Sequence, residues 1–410
     1  MELYLKNIGK IRETTIAIDG ITVIAGENNT GKSTVSRAIF SMLNSFSNVD
    51  ERIKDEMKSS LENILILTRR PIRLGFLNNA VREFTDNIEV YKENPKLIRR
   101  YITESGNDPL SSPKSNIDKA VKMILDCLNV SREEIFHVSL EKNLNAEFDG
   151  QIQNIYAKDA SKIELRLEEK TISACIEDGH IIQNSDLREL GISTIYLDSP
   201  MVFDDNGLAA RSNHAINHQF HLRSCLFSSE KRSTLVEEIV ASKKLSRVYD
   251  MISTVCSGDF VKKDGEFVYR EKADGEMLNA SNLSAGLKTF VILKTLLLNG
   301  FIESGTVLLL DEPEIHLHPE WQLVLAEIIV LLHKEFDLYV LLNTHSHYFL
   351  DAVEVYSKKH GVNNNCKYYL SSLDGEFAKI ENVTGNTEAI YQKLARPLQQ
   401  LENERYQDED

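Results

Sequence analysis

The hydrophobic positions change their spacing several times along the chain, and each change marks a different kind of element. Residues 2–6 (Glu-Leu-Tyr-Leu-Lys) and 13–19 (Glu-Thr-Thr-Ile-Ala-Ile-Asp) alternate apolar and polar, the pattern of half-buried strands. Asp19-Gly20 turns the chain into Ile21–Ala25, a short apolar run suited to a buried strand. From Ser33 to Phe46 the period becomes helical, with Val35, Ala38, Ile39, Met42 and Leu43 at helical spacing. Residues 51 to about 134 stay helical around a loop at Asn107–Pro113, and predict a helical insertion without sustained heptads. About 135–183 is expected to alternate. Ile163, Leu165 and Leu167 interleave with charges there, and Glu177-Asp178-Gly179-His180 reads as a hairpin. Ser193–Asp198 predicts another apolar strand, and residues 229–256 a return to helix. Asp264-Gly265 and Asp374-Gly375 predict two further hairpin turns.

Composition narrows the class without naming it. The 410 residues are 42% hydrophobic and 27% charged, ordinary for a soluble globular chain too long for one simple core. The longest apolar run, Phe290–Ile302, is interrupted by Lys294 and Asn299 and is too short to span a bilayer. The first residues lack a positive segment followed by an apolar stretch, so no secretion signal is expected. Cys127, Cys175, Cys225, Cys256 and Cys366 are scattered, with no C-x-x-C pair, and read as reduced thiols. The net charge of −15 argues against the whole surface coating DNA; such contact would need a local patch or a partner.

One local patch stands out. Arg69, Arg70, Arg73, Arg82, Lys92, Lys96, Arg99 and Arg100 cluster in the helical insertion, with acids interspersed. They read as a solvated helix face, with a nucleic-acid backbone as the alternative. His214, His218 and His221 recur at i, i+4 and i+7, near Asp204 and Asp205. One helix face could offer three metal ligands, but no fourth ligand has recognisable spacing. With Arg211, Asn213 and Asn217 filling the stretch, it reads as a polar surface or interface helix.

The chemistry concentrates in four segments. Gly26-Glu27-Asn28-Asn29-Thr30-Gly31-Lys32-Ser33 fits the phosphate loop G-x-x-x-x-G-K-[ST], followed by Thr34 in the helix. Its glycines let backbone N–H groups turn around phosphates, Lys32 brings a charge to them, and Ser33 suits Mg²⁺. Asn282–Lys288 opens a helix expected to be amphipathic, and Ser284 and Gly286 there make a second anion-binding end. Thr306–Pro313 is a buried strand ending in two acids: Asp311 suits a metal, and Glu312 a base for attacking water. Leu338–Thr344 is a strand leading to His345, which could reach a terminal phosphate.

Taken together, Gly26–Ser33, Leu283-Ser-Ala-Gly286, Leu309-Leu-Asp-Glu-Pro313 and Thr344-His345 resemble the Walker A, signature, Walker B and switch-histidine motifs of ABC-type ATPases. Glu314-Ile-His-Leu-His-Pro319 is similar to the soluble branch with structural-maintenance-of-chromosomes (SMC) heads, RecF and the OLD family. Within it the chain resembles the Septu PtuA family of anti-phage ATPase subunits, which also occur with retrons. The resemblance covers roughly 1–50 and 257–410, including Ile390–Leu398. It implies an α/β fold: an ABC-type P-loop ATPase head with a mixed β-sheet and an inserted helical subdomain. The head would be built from 1–50, 135–200 and 257–410, with 51–134 inserted and 201–256 a helical segment.

The resemblance also implies ATP and Mg²⁺ as cofactors, Glu312 and His345 as catalytic residues, and Ser33 and Asp311 at the metal. Ser284 and Gly286 would act on the nucleotide of a second copy, in a head-to-tail dimer or higher even oligomer. Such a cytoplasmic subunit would control a separate nuclease, of the HNH type, while carrying no nuclease site itself. No Toprim nuclease domain is expected, since the 65 residues after His345 are at the low end of domain size. DNA contact would come through the partner or the 51–134 basic residues. The alternatives are a RecF-like DNA-repair ATPase and a nucleotide-locked scaffold. Two departures stand out. The signature reads Leu-Ser-Ala-Gly-Leu, and no glutamine between the phosphate-loop helix and Gln151 is there to sense Mg²⁺.

Overall fold

The structure, a computed structural model, describes residues 1–68, 74–104, 114–185, 189–203, 217–227, 246–263, 266–271 and 277–407. The chain divides into two compact units. The larger holds 1–45, 141–185 and 192–410; the smaller holds 46–140 and 186–191.

The larger unit is built on a mixed sheet. Its strands are β1 (Glu2–Ile8), β2 (Ile11–Ala17), β3 (Ile21–Gly26), β4 (Ser161–Leu167), β5 (Lys170–Glu177), β6 (His180–Asn184) and β7 (Thr194–Leu197). After a small antiparallel sheet of β8 (Asp259–Lys263), β9 (Glu266–Arg270) and β10 (Met277–Asn279) come β11 (Val307–Asp311), β12 (Tyr339–Thr344), β13 (Cys366–Asp374) and β14 (Phe377–Asn382). The spatial order is β6-β5-β4-β1-β2-β14-β13-β3-β12-β11-β7. The run from β13 to β7 is parallel, and β2, β1, β4, β5 and β6 pair antiparallel in turn. The fold is therefore α/β around a large mixed sheet, as the motifs imply.

Parallel strands need helical crossovers, and these cover both faces of the sheet. Residues on alternate positions of a strand point to opposite faces. Ile21, Val23, Ala25, Leu308, Leu310, Val340 and Leu342 enter one core with α9 (Ala285–Leu298), α10 (Pro319–Phe336) and α11 (His347–His360). The other positions, ending in Gly26, Asp311, Asn343 and Tyr196, face α1 (Lys32–Ser45), which packs over β3, β7, β11 and β12. Strands β3, β7, β11 and β12 thus bring Gly26, Tyr196, Asp311 and Asn343 to the α1 face.

Two expectations change. Alternation begins only at β4; residues 132–147 instead form α7 (Arg132–Glu147). Its buried positions Phe136, Leu140, Asn143, Leu144 and Glu147 do follow helical spacing, but two are polar, which hid the stripe. Helix α9 is not amphipathic, because Lys288 and Lys294 are both buried on it. Lys288 Nζ donates to the Ser281 carbonyl at 3.0 Å, and Lys294 Nζ to that of Gly258 at 2.9 Å. Buried ammonium groups are tolerated where carbonyls receive them. The 201–256 stretch holds α8 (His218–Phe227) and helical residues 246–255. Asp204, Asp205, Arg211, Asn213, His214, Asp264-Gly265, Arg69, Arg70, Arg73 and the 107–113 loop lie outside the described residues.

The smaller unit is helical, with α2 (Val49–Thr68), α3 (Leu74–Asp86), α4 (Ile88–Glu93), α5 (Pro95–Glu104), α6 (Lys114–Asn129) and the first part of α7. Leu61, Leu65, Phe84, Ile98, Ile124 and Leu128 form its own core. Phe84 meets the Tyr91 ring edge-on at 4.9 Å. The C-terminal helix of the chain, α12 (Glu388–Gln407), belongs to the larger unit.

Gly26 lies where β3 passes β13 most tightly. It pairs in register with Ser371, and a Cβ added to it would stand 2.1 Å from the Ser371 carbonyl oxygen. We predict that Gly26→Ala costs about 1–3 kcal/mol of stability, because no flexible side chain can give way there. Thermal melting measures this, and an unchanged midpoint would show that the strands can part without penalty.

Candidate nucleotide-binding site

The phosphate loop is shaped before any ligand contact is considered. Asn29 and Gly31 take positive φ values of 65° and 85°, which turn the chain between β3 and α1. A Cβ on Gly31 would approach Ile11 Cγ1 at 3.0 Å, so sterics require glycine there as well. Ser371 Oγ donates to the Thr30 carbonyl at 2.6 Å, and Thr30 Oγ1 donates to the Glu27 carbonyl at 2.8 Å. Lys32, 4% exposed, folds its Nζ back onto the carbonyls of Gly26 and Glu27, at 3.0 and 2.9 Å. Lys393 on α12 reaches Glu27 at 3.3 Å.

A cleft of about 340 Å³ opens beside the loop, within the size range of small-ligand sites. Asn28, Asn29, Thr30, Gly31, Lys32, Ser33 and Thr34 line it, with Lys10, Arg37, Phe148 and Glu312. Lys10, Lys32 and Arg37 oppose the lone acid Glu312, which suits a polyanion. Arg37 Nε is buried with no hydrogen-bond partner among the described residues.

The acids at the end of β11 are held differently from each other. Asp311 is 9% exposed and accepts two hydrogen bonds: Tyr196 Oη to Oδ2 and Asn343 Nδ2 to Oδ1, both at 3.0 Å. Asn343 Nδ2 also donates to Ser36 Oγ on α1 at 2.9 Å. Each Asp311 oxygen keeps a further lone pair for a cation. Glu312 follows with φ 49°, a strained conformation for a non-glycine residue, while its N–H bonds the Asn343 carbonyl at 2.9 Å. That turn brings Glu312 Oε1 to 3.6 Å from Lys32 Nζ and 3.3 Å from His345 Nδ1. Loop cation, acid and strand-end histidine therefore meet, as their chain order suggested.

Glu314 was not singled out by any motif as a site residue, yet it is 2% exposed beneath this turn. It accepts a hydrogen bond from Thr344 Oγ1, and its Oε2 has no partner among the described residues. Burial raises its carboxyl above the usual range, against the Thr344 hydroxyl. Lys10, Arg37, Tyr196, Asn343 and Ser371 were also missed. Of these, Asn343 had a signal: a lone amide in an apolar strand, two residues before His345 and on the face of Asp311.

Ser284 and Gly286 do not line this cleft. Ser284 is exposed and caps α9, accepting from Leu287 N at 3.3 Å. Gly286 is buried, and a Cβ there would meet the His316 carbonyl at 2.9 Å and Leu317 at 3.1 Å. Its smallness lets α9 lie against the segment after Glu312.

The histidine reading has to be corrected. His218 is buried, not on a polar surface, and both its ring nitrogens face carboxylates. Nδ1 lies 2.5 Å from Glu147 Oε1 and Nε2 lies 2.8 Å from Asp198 Oδ2, the latter a charge contact rather than an aligned hydrogen bond. His221 packs edge-on to Phe40 at 5.5 Å. Among the described residues no three His, Cys, Asp or Glu side chains are grouped to hold a metal ion. Burial pulls His218 down, but Asp198 and Glu147 outweigh it and raise its pKa from 6.5 to about 9. Asp198 is lowered in return, burial opposing.

Residues 2–196 match a family model described as “AAA domain”, and residues 178–351 a second described as “AAA domain, putative AbiEii toxin, Type IV TA system”. The first match contains the phosphate loop; the second contains Ser284, Gly286, Asp311, Glu312 and His345. The chain is thus similar to AAA-family ATPase domains on both sides of the site. Among solved structures it aligns with the SMC head domain from Thermotoga maritima, at 12% identity over 93% of this chain and 98% of that one, TM-score 0.37. An SMC head bound to the C-winged helix domain of ScpA aligns at 10% identity, over 93% and 97%, TM-score 0.44. An Smc head with an extended coiled coil, bound to the C-terminal domain of ScpA derived from Pyrococcus furiosus, aligns at 11%, over 98% of both chains, TM-score 0.39. No helix among the described residues is long and apolar enough to cross a membrane.

The His218 cluster gives a prediction about pH. The folded protein holds this proton more tightly than the unfolded chain. Its contribution is therefore complete below about pH 6.5 and is lost as pH rises through about 9. The loss is of the order of 3 kcal/mol. Melting temperatures across that window should fall more steeply in the wild type than in His218→Gln; parallel curves would refute the ion-paired assignment.

Proposed function

We propose that the chain binds and hydrolyses ATP with Mg²⁺ in a site completed by a second copy. We further propose that it serves as the cytoplasmic sensor or regulatory subunit of an anti-phage defence system, switching a separate nuclease. The observation that carries the ATPase reading is the place of Glu312, 3.6 Å from the loop lysine and 3.3 Å from His345. Lys32 and the loop amides would hold the phosphates, and Ser33 and Asp311 the cation. When bound, the cation neutralises charge on the phosphate oxygens. Glu312 would orient and deprotonate water, and His345 would stabilise the phosphoryl oxygens as charge develops.

The second copy enters through Ser284. It is exposed, it opens a helix, and it lies outside the cleft of its own chain. A helix N-terminus attracts phosphate, and one facing outward can take it from the loop of another subunit. A head-to-tail dimer uses both of these ends. The defence role rests on the motif resemblance to Septu ATPase subunits and agrees with the toxin–antitoxin system in the description matched by 178–351.

Two variants separate the roles. Glu312→Gln is expected to bind ATP and Mg²⁺ and accumulate as a dimer, with turnover lowered by about two orders of magnitude or more. Ser284→Arg is expected to bind ATP as a monomer and not turn it over. Sedimentation with nucleotide reads both, and full turnover by Ser284→Arg would mean that each chain completes its own site.

Partnership has its own test. The chain is expected to purify with a separate metal-dependent nuclease, of the HNH type, whose cutting depends on nucleotide state. DNA cleavage is measured for each protein alone and for the complex, with and without ATP. Strong cutting by this chain alone, or a nuclease indifferent to it, rules out the regulatory role.

A further inference from the structure

The Asp311 carboxylate is held on both oxygens, and one of its two partners leads away from the cleft. Tyr196, 1% exposed, donates from Oη to Oδ2 at 3.0 Å. The ring forms a three-ring cluster with Phe40, at 6.1 Å between centroids, and His218, at 4.2 Å with 33° between the planes; Phe40 and His218 also meet, at 6.1 Å. His218 is fixed in turn. Its backbone N–H donates to Glu147 Oε2 at 3.0 Å, and its two ring nitrogens meet Glu147 and Asp198. Gln219 Nε2 also reaches Asp198 Oδ2, at 3.3 Å. The end of α7, the residue after β7 and the first residue of α8 therefore meet on one imidazole.

We propose that His218, clamped between Glu147 and Asp198, is a positioning residue for the metal-facing carboxylate, which it orients through the tilted, adjoining ring of Tyr196. The inference rests on the ATPase reading of the cleft and adds to it a residue that does not line the cleft.

Geometry supports this over a purely structural role. A carboxylate held by one donor can swing about its Cβ–Cγ bond, whereas donors on opposite oxygens fix its plane. Asn343 secures Oδ1, so the orientation depends on where the Tyr196 hydroxyl lies. That hydroxyl sits at the far end of a rigid ring. A tilt of about 10° moves it by roughly 1 Å, enough to lose a hydrogen bond. Phe40 meets the Tyr196 ring at 50°, whereas His218 is the closer and flatter neighbour. Parallel pairing of β7 with β11 sets Tyr196 opposite Leu309 and Leu197 opposite Leu310. Asp198 and Asp311 therefore leave adjacent strands at the same level. A histidine can pair with both Glu147 and Asp198 and still present a flat face to Tyr196; a lysine could pair but not stack.

The test compares the wild type with Tyr196→Phe, His218→Gln, His218→Lys and the Tyr196→Phe/His218→Gln pair. Mn²⁺ binding is measured by electron paramagnetic resonance with a non-hydrolysable ATP analogue present. Binding of the analogue is measured separately in chelator, where Asp311 takes no part. Tyr196→Phe and His218→Gln are each expected to weaken Mn²⁺ binding by about tenfold, as partners behind metal ligands do. Metal-free analogue binding should stay within about twofold. The double variant should be no weaker than the weaker single one, because both act along one path. His218→Lys should keep the fold and remain weak for Mn²⁺. Wild-type Mn²⁺ affinity in His218→Gln, or losses that add, would overturn the inference. If His218→Gln does not fold, Glu147→Gln/His218→Gln removes the unpaired acid and is judged in the same way. A wild type that binds no metal–nucleotide overturns the ATPase reading and this inference together. Insensitive variants of a protein that does bind overturn the inference alone.

Discussion

Asp311 closes a strand that is buried along its whole length, and a carboxylate in that place must be met by donors. Left unpaired it would cost several kcal/mol. Tyr196 and Asn343 supply the donors, and Asn343 ties the group to Ser36 on α1. Much of the larger unit follows from this requirement. The three groups can converge only if β7, β11 and β12 are parallel, in register and capped by the same helix. The period of two along a strand then does the rest, sending the apolar positions 308 and 310 to one core and 309 and 311 towards α1. The loop that starts α1 begins at the end of β3, beside β12 in the same sheet. One helix and three strand ends bring the phosphate loop and the acids together.

The second constraint is closeness. Gly26 stands against the Ser371 carbonyl, and the hydroxyl of Ser371 holds the Thr30 carbonyl. A loop that must present its N–H groups to one side has to dispose of its carbonyls on the other. Here Ser371, Thr30 and Lys32 receive them. Lys32 thus bonds the back of the loop while its charge stays within 3.6 Å of Glu312. A phosphate arriving at the cleft would meet a cation already in place, which lowers the ordering cost of binding.

How much of this could be read in the chain depended on whether the signal was local. The strand–loop–helix from Ile21 to Ser45, the acids after β11 and the hairpins at Asp178-Gly179 and Asp374-Gly375 carry their information in neighbouring residues. The structure places all of them as expected. Tyr196, Ser371, Glu314 and Arg37 carry theirs in pairing register and helix packing, which no single-chain periodicity encodes. Helix α7 was hidden because Asn143 and Glu147 occupy positions of its buried face, and each is polar for a reason elsewhere: Asn143 meets Ser45, Glu147 meets His218. Similarly, His218 reads as part of a polar surface or interface helix because its spacing is visible while the carboxylates across the fold are not. A buried polar residue disturbs the very pattern from which burial is inferred.

Ser284 and Gly286 carry the argument one step further. As a stretch of sequence they form one short motif, and a single chemical role is the natural reading. The structure divides them. Gly286 is turned inward, where its lack of a side chain lets α9 pack on the segment that follows Glu312. Ser284 is turned outward, and its hydroxyl caps the helix by accepting the Leu287 N–H. The same two residues thus join an exposed helix end to the backbone that follows the candidate base. At Gly286 the helix closely approaches His316, Leu317 and Trp321, which follow Glu312 and Glu314 in the same chain. Any shift there meets the Glu314–Thr344 hydrogen bond, one residue from His345. The exposed helix end and the acid–histidine pair are therefore joined by a short run of packed groups within one chain.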